Sequence, residues 1–223
     1  GPRGGKPVLV LHSSSASRPA PSRLIAALQA AGFRPFAIDR PGFGLTDALN
    51  GVADPFAGAC DDIRTVCAHL RFKRVDVVAR GGAQVLMHLA HQSPELVGRA
   101  VLVAPDPSSR SSLAAPGILG TVKNAFRANT ALIEPITRML VATLQATNVR
   151  DLVLRTVRDS PPDVAVMKDA RNLSDYYRGF QMFLSGRVGG YVREQAALAT
   201  LPDPPAKPDA GHWHVLIGAR DPL

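Results

Sequence analysis

The sequence predicts an α/β fold: a mostly parallel sheet with helices on both faces and a helical insertion before the last strand. Three observations predict it. Short, largely apolar runs, Val8–Leu11, Val75–Ala79 (interrupted by Asp76) and Ala100–Ala104, alternate with segments of helical periodicity. Strands apolar on both faces belong to parallel sheets covered on both sides. From Asp106 to Gln195 helical periodicities follow one another with no strand-like run between them. A length of 223 residues suits one domain carrying a sizeable insertion.

The elements follow in order. Val8–Leu11 is the first strand, and Leu24, Ile25, Leu28 and Ala31 then recur at helical spacing until Gly32 stops them. Pro35–Ile38 is the second strand, ending at Asp39. Asp54 and Pro55 read as N-cap and first helical residue, ahead of Phe56, Ala59, Cys60, Ile63, Cys67 and Leu70 on one face. Val75–Ala79 is the third strand, Val85–His91 a helix ended near Pro94, and Ala100–Ala104 the fourth strand. In the insertion, Ile118, Leu119, Val122 and Phe126 form one helical stripe, and Ile133, Ile136, Met139 and Leu140 another. Ser160-Pro161 starts a later helix, and Tyr176, Tyr177, Phe180, Phe183 and Leu184 make an aromatic stripe read as core. A proline-rich connector, 201–208, leads to a last strand at Trp213–Ile217. The division expected is a core of residues 1–105 and 201–223 and a helical lid of residues 106–200.

Composition narrows the function. With 46% hydrophobic and 20% charged residues, disorder is excluded. No eighteen apolar residues run together, so no membrane span is expected, and the apolar run at 7–11 is too short for a signal peptide. Cys60 and Cys67 are expected as reduced core residues of a cytoplasmic protein. The net charge of +8 is spread, with no basic run of five, which reads as a solvated surface rather than a nucleic-acid face. No cofactor is expected. Gly42-Phe43-Gly44 lacks the third glycine of a dinucleotide loop, and Gly117–Lys123 lacks the phosphate-loop ending. His212 and His214 make one short pair with no third ligand, so no metal is expected.

Several segments, in this order, resemble the α/β-hydrolase superfamily. Asp39-Arg40-Pro41-Gly42-Phe43-Gly44-Leu45-Thr46-Asp47 is very similar to the family's D-R-x-G-x-G-x-S-D turn. Leu11-His12-Ser13 resembles its oxyanion-loop segment. Arg74–Val78, Pro94–Val97 and Ala100–Val103 match the strand, helix end and strand around its nucleophile elbow. Val215–Asp221 resembles the late strand carrying the triad acid, which would make Asp221 that acid. The resemblance implies an α/β-hydrolase-type sheet with a helical lid.

The catalytic residues depart from that pattern. The elbow needs small residues two positions either side of the nucleophile. Counting back from Pro94 puts the nucleophile position on Arg80, in Val78-Ala79-Arg80-Gly81-Gly82, and no serine lies between Ser22 and Ser93. A guanidinium stays protonated and cannot attack a carbonyl. None of the six histidines follows Asp221. That absence, with a first residue other than Met, leads to the expectation of a chain truncated at both ends.

Two functions follow. The first is binding without hydrolysis: Arg80 with the N–H groups of Ser13 and Gly81, beside His12, would hold a small anionic molecule under the lid. Arg80 pairing instead with Asp221 or Asp106 is an equal reading. Either makes a sensory or interaction domain, touching nucleic acid only through an unseen fused domain. The second is an esterase-like hydrolase of small carbonyl substrates, using Asp221 or Asp106 and a water.

Overall fold

Each apolar run forms its strand. The computed structural model describes residues 4–48, 54–105, 121, 124–126, 128–158, 160–200 and 212–218. Strands β1 (Lys6–Leu11), β2 (Phe33–Phe36), β3 (Val75–Arg80), β4 (Val97–Val103) and β5 (Trp213–Leu216) make one sheet in the order β2-β1-β3-β4-β5. All four pairings are parallel. Leu11 is level with Ala79, Arg80 with Val103, and Val103 with Leu216, so these strands end along one rim.

Helices α1 (Ser22–Ala30), α2 (Pro55–His69) and α3 (Ala83–Gln92) connect the first four strands. Asp54 caps α2 by accepting hydrogen bonds from the Phe56 and Ala57 N–H groups, at 2.8 and 3.2 Å. The apolar face of α2 (Phe56, Ala59, Cys60, Ile63, Cys67) joins Leu9, Leu11, Val75, Val77 and Leu86 in one buried core. Burial pushes the Cys60 thiol up to about 12 and the Cys67 thiol up to about 11. Both remain unreactive thiols at neutral pH.

Two strand boundaries and the burial of the last strand differ from the periodicity. The second strand runs over Phe33–Phe36 rather than 35–38, because Asp39 is drawn into the following turn. β4 starts at Val97 rather than Ala100. Asp76 of β3 accepts from the Arg99 N–H at 2.9 Å and from its guanidinium at 2.9 and 3.1 Å, while Lys6 Nζ lies 2.8 Å away. That bracket carries the ladder past Gly98 and Arg99, residues that look turn-like in sequence. β5 lies at the sheet edge, and Val215, Leu216 and Ile217 are exposed rather than covered.

Between β4 and β5 the elements described are helical: α4 (Ile133–Gln145), α5 (Val149–Thr156), α6 (Pro161–Lys168), α7 (Ala170–Leu184) and α8 (Gly189–Thr200), with a short 3-10 turn at Thr130–Leu132. Most of the stripe expected around Ile118, Leu119 and Val122 lies outside the described residues, as does the connector. Asn148 and Asp169 cap α5 and α7 by accepting from the N–H groups of Arg150 and Arg171. The aromatic stripe packs inward at Phe183, which sits 5.0 Å from the Phe180 ring and 5.3 Å from Tyr191 of α8, against Val141 of α4. Tyr177, on its margin, is exposed. Among the described residues, no helix is long and apolar enough to cross a membrane.

Candidate functional site

A tight backbone corner on the rim joins β3 to α3. Arg80 is the last residue of β3 and its side chain is exposed. Gly81 follows with φ +64°, and Gly82 is the N-cap of α3. The sequence count puts Arg80 at the corner, but the backbone turns one residue later. The shift arises because β3 runs through Arg80 and α3 begins at Ala83, two residues before the expected start. Around Gly81 the residues two positions away are Ala79 and Ala83, both small and wholly buried. They meet the steric demand of a strand-to-helix elbow that Val78 and Gly82 would not centre.

Ser13, just beyond β1, lies directly against this corner. A Cβ built on Gly81 would come within 3.0 Å of the Ser13 Cβ. Arg80 stands near Tyr176 of α7, whose phenol burial pushes up and whose pKa the Arg80 charge pulls partly back. Asp106 and Asp221 lie outside the described residues, so their suggested pairing with Arg80 does too. His212 and His214 are exposed, and no cluster of His, Cys, Asp and Glu among the described residues could hold a metal ion.

A buried ion pair comes from the turn after β2. Asp39 accepts from the Arg18 N–H at 2.7 Å and from the Leu45 N–H at 3.3 Å, which folds the turn onto its carboxylate. Gly42 adopts φ +82°, and its carbonyl accepts the Gly190 N–H of α8 at 2.9 Å. A Cβ on Gly42 would lie 2.8 Å from the Gly190 N and Cα atoms. The turn therefore docks α8 by backbone contact. Arg40 points inward and is 1% exposed. Its Nε and Nη2 each donate at 2.9 Å to one oxygen of Glu194 of α8, and Nη1 donates to the His12 carbonyl. The guanidinium also lies 4.6 Å from the Phe43 ring centre. Ser14 Oγ donates to Glu194 Oε2 at 2.8 Å, completing the set around a carboxylate that is 3% exposed.

His12 serves this arrangement rather than the rim. Its Nε2 accepts the Arg40 backbone N–H at 3.3 Å, so Nδ1 carries the proton that meets the Ser13 carbonyl at 2.8 Å. Burial, then the Arg40 charge, hold the imidazole well below its usual 6.5, so the ring stays neutral. In the unfolded chain it protonates near 6.5, so acid favours unfolding. Stability should be complete above that value and fall as pH drops toward about 5, before carboxylates titrate. Urea unfolding across this range should show a smaller loss for His12→Gln than for the wild type; an equal loss would exclude His12 as the source.

A cavity of about 30 Å³ opens between Gly81, Gly82, Gln84, Ser14, Arg40 and Glu194. It has room for one or two waters, not for an ester substrate. Sequence reasoning missed Ser14 and Glu194. Arg40 lay in the quoted glycine turn, but nothing in the spacing of α8 singled out an acid there as buried.

The profile of the alpha/beta hydrolase fold matches residues 6–162. No curated protein matches the chain in sequence. Among solved structures, a carboxylesterase of the thaumarchaeon Nitrososphaera gargenis superposes with TM-score 0.60 at 20% identity, covering 91% of this chain and 67% of that one. A thermophilic esterase of Thermogutta terrifontis, malate bound, gives 0.57 at 17% identity over 95% and 71%. An alpha/beta hydrolase fold protein of Nakamurella multipartita gives 0.52 at 19% identity over 95% and 83%. At these identities the likeness speaks for fold alone, and it agrees with the parallel sheet, its strand order and the profile match. The chain belongs to the alpha/beta hydrolase fold family.

Proposed function

We propose that this chain is a binding member of its family that does not hydrolyse esters by the covalent serine route, and that it takes small carboxylates or phosphates at the β3–α3 corner. The observation that carries the reading is Gly81. It has the positive φ of the elbow and the small neighbours that geometry requires, but no side chain to attack a carbonyl. Arg80 next to it supplies a full positive charge at the rim, and the positive end of the α3 dipole opens beside it at Gly82. The helices between β4 and β5 act as the lid of this site. Arg80 thus serves as an anion clamp beside the corner rather than at it.

The esterase-like alternative needs a nucleophile from elsewhere. Ser14 is the hydroxyl on the cavity wall, but its hydrogen bond goes to Glu194, which Arg40 already holds through two nitrogens. Both oxygens of that carboxylate are therefore already engaged by the guanidinium fork. The test is hydrolysis of p-nitrophenyl acetate beside a mock preparation, with malate and phosphate in a parallel thermal-shift screen. The expected result is no turnover above the mock, and an anion-dependent rise in melting temperature that Arg80→Ala abolishes. Wild-type turnover above the mock would overturn the non-hydrolytic reading. A shift that Arg80→Ala leaves intact would overturn the anion clamp.

A further inference from the structure

A cavity of about 30 Å³ lies beside Gly81 and Gly82, and Arg40, Ser14 and Glu194 of α8 form part of its wall. Two contacts hold α8 against that wall. The helix meets the glycine turn at Gly190, one helical turn before Glu194, and Glu194 carries the charged contact. Arg40 and Ser14 offer three directed donors to two carboxylate oxygens, in the fork geometry by which a guanidinium recognises any carboxylate. Nothing in this donor set is particular to a glutamate side chain.

We infer that Arg40 and Ser14 form a receptor site for a small monocarboxylate, which Glu194 of α8 fills from within the chain. The ligand's carboxylate exchanges with that of Glu194. Exchange releases the charged contact of α8 and enlarges the cavity beside Gly81 and Gly82, while the Gly42–Gly190 backbone contact remains as the pivot. The internal carboxylate is present at high effective concentration, so a free carboxylate competes weakly in the wild type and strongly once Glu194 is removed. The class of ligand rests on the binding reading above, but the receptor site does not involve Arg80.

The decisive variant is Glu194→Ala, which deletes an acetate-sized fragment and leaves Arg40 uncompensated. Its melting temperature should fall below wild type. Acetate or formate should then raise it saturably, by roughly 3–6 °C at about ten times the dissociation constant, whereas sodium chloride at equal ionic strength should not. The double variant Arg40→Met/Glu194→Ala should show no carboxylate-specific rise. If Glu194→Ala does not fold in plain buffer, soluble refolding yield with acetate against chloride gives the same readout. The inference is overturned if acetate and formate act no better than chloride on Glu194→Ala, or if they act equally on the double variant. Arg80→Ala in the wild-type background separates the two proposals, since it should abolish binding at the rim yet leave acetate rescue of Glu194→Ala unchanged when the two substitutions are combined.

Discussion

Arg40→Met should destabilise the protein by about 3–5 kcal/mol, the loss typical of breaking a buried ion pair from one side. The substitution removes the two hydrogen bonds to Glu194, the one to the His12 carbonyl and the stacking on Phe43. The larger part of the cost comes from what is left behind. Glu194 would be a carboxylate at 3% exposure with only the Ser14 hydroxyl donating to it among the bonds described. The double variant Arg40→Met/Glu194→Leu should therefore be more stable than Arg40→Met alone, since no charge is then stranded. Urea denaturation of the wild type and the two variants measures both effects. If the single and double variants were equally destabilised, packing rather than stranded charge would be the cause.

Gly42→Ala is the second substitution with a large expected effect, and Gly32→Ala is its control. Both glycines have nearly the same left-handed backbone, φ +82° and +80°. A Cβ at Gly32 meets nothing within 4 Å, whereas at Gly42 it lies 2.8 Å from the backbone of Gly190. Gly32→Ala should cost roughly 1–2 kcal/mol from the dihedral alone. Gly42→Ala adds the displacement of a helix that cannot yield locally, for a total of roughly 2–5 kcal/mol. The same denaturation experiment gives the difference between them, which measures how tightly the turn and α8 are pressed together. Equal losses would mean that α8 moves away freely.

Local signals explain what could be read from the chain. The apolar runs at Val8, Val75 and Ala100 specify buried parallel strands because a strand covered on both faces has no polar side. Asp54-Pro55 specifies a helix start because the cap and the fixed φ act within one turn. Elements defined by contacts from distant segments were less legible. The start of β4 depends on Asp76, twenty-odd residues upstream, reaching the Arg99 backbone. The corner at Gly81 depends on how far β3 and α3 extend, and an error of one residue there exchanges a guanidinium for a hydrogen. Arg40 stood in a recognisable turn, yet its partner Glu194 lies 154 residues away. No spacing rule connects the two, because only the docking of α8 on the glycine turn brings them together.

The two thiols on α2 give the fold an internal clock. Cys60 and Cys67 lie seven residues apart, sealed between helix and sheet, with proton affinities raised by that burial. An alkylating reagent reaches them only when the sheet and its helices part. The rate of their modification therefore times the opening of the core between α2 and the sheet, a core to which Ala197 of α8 also belongs.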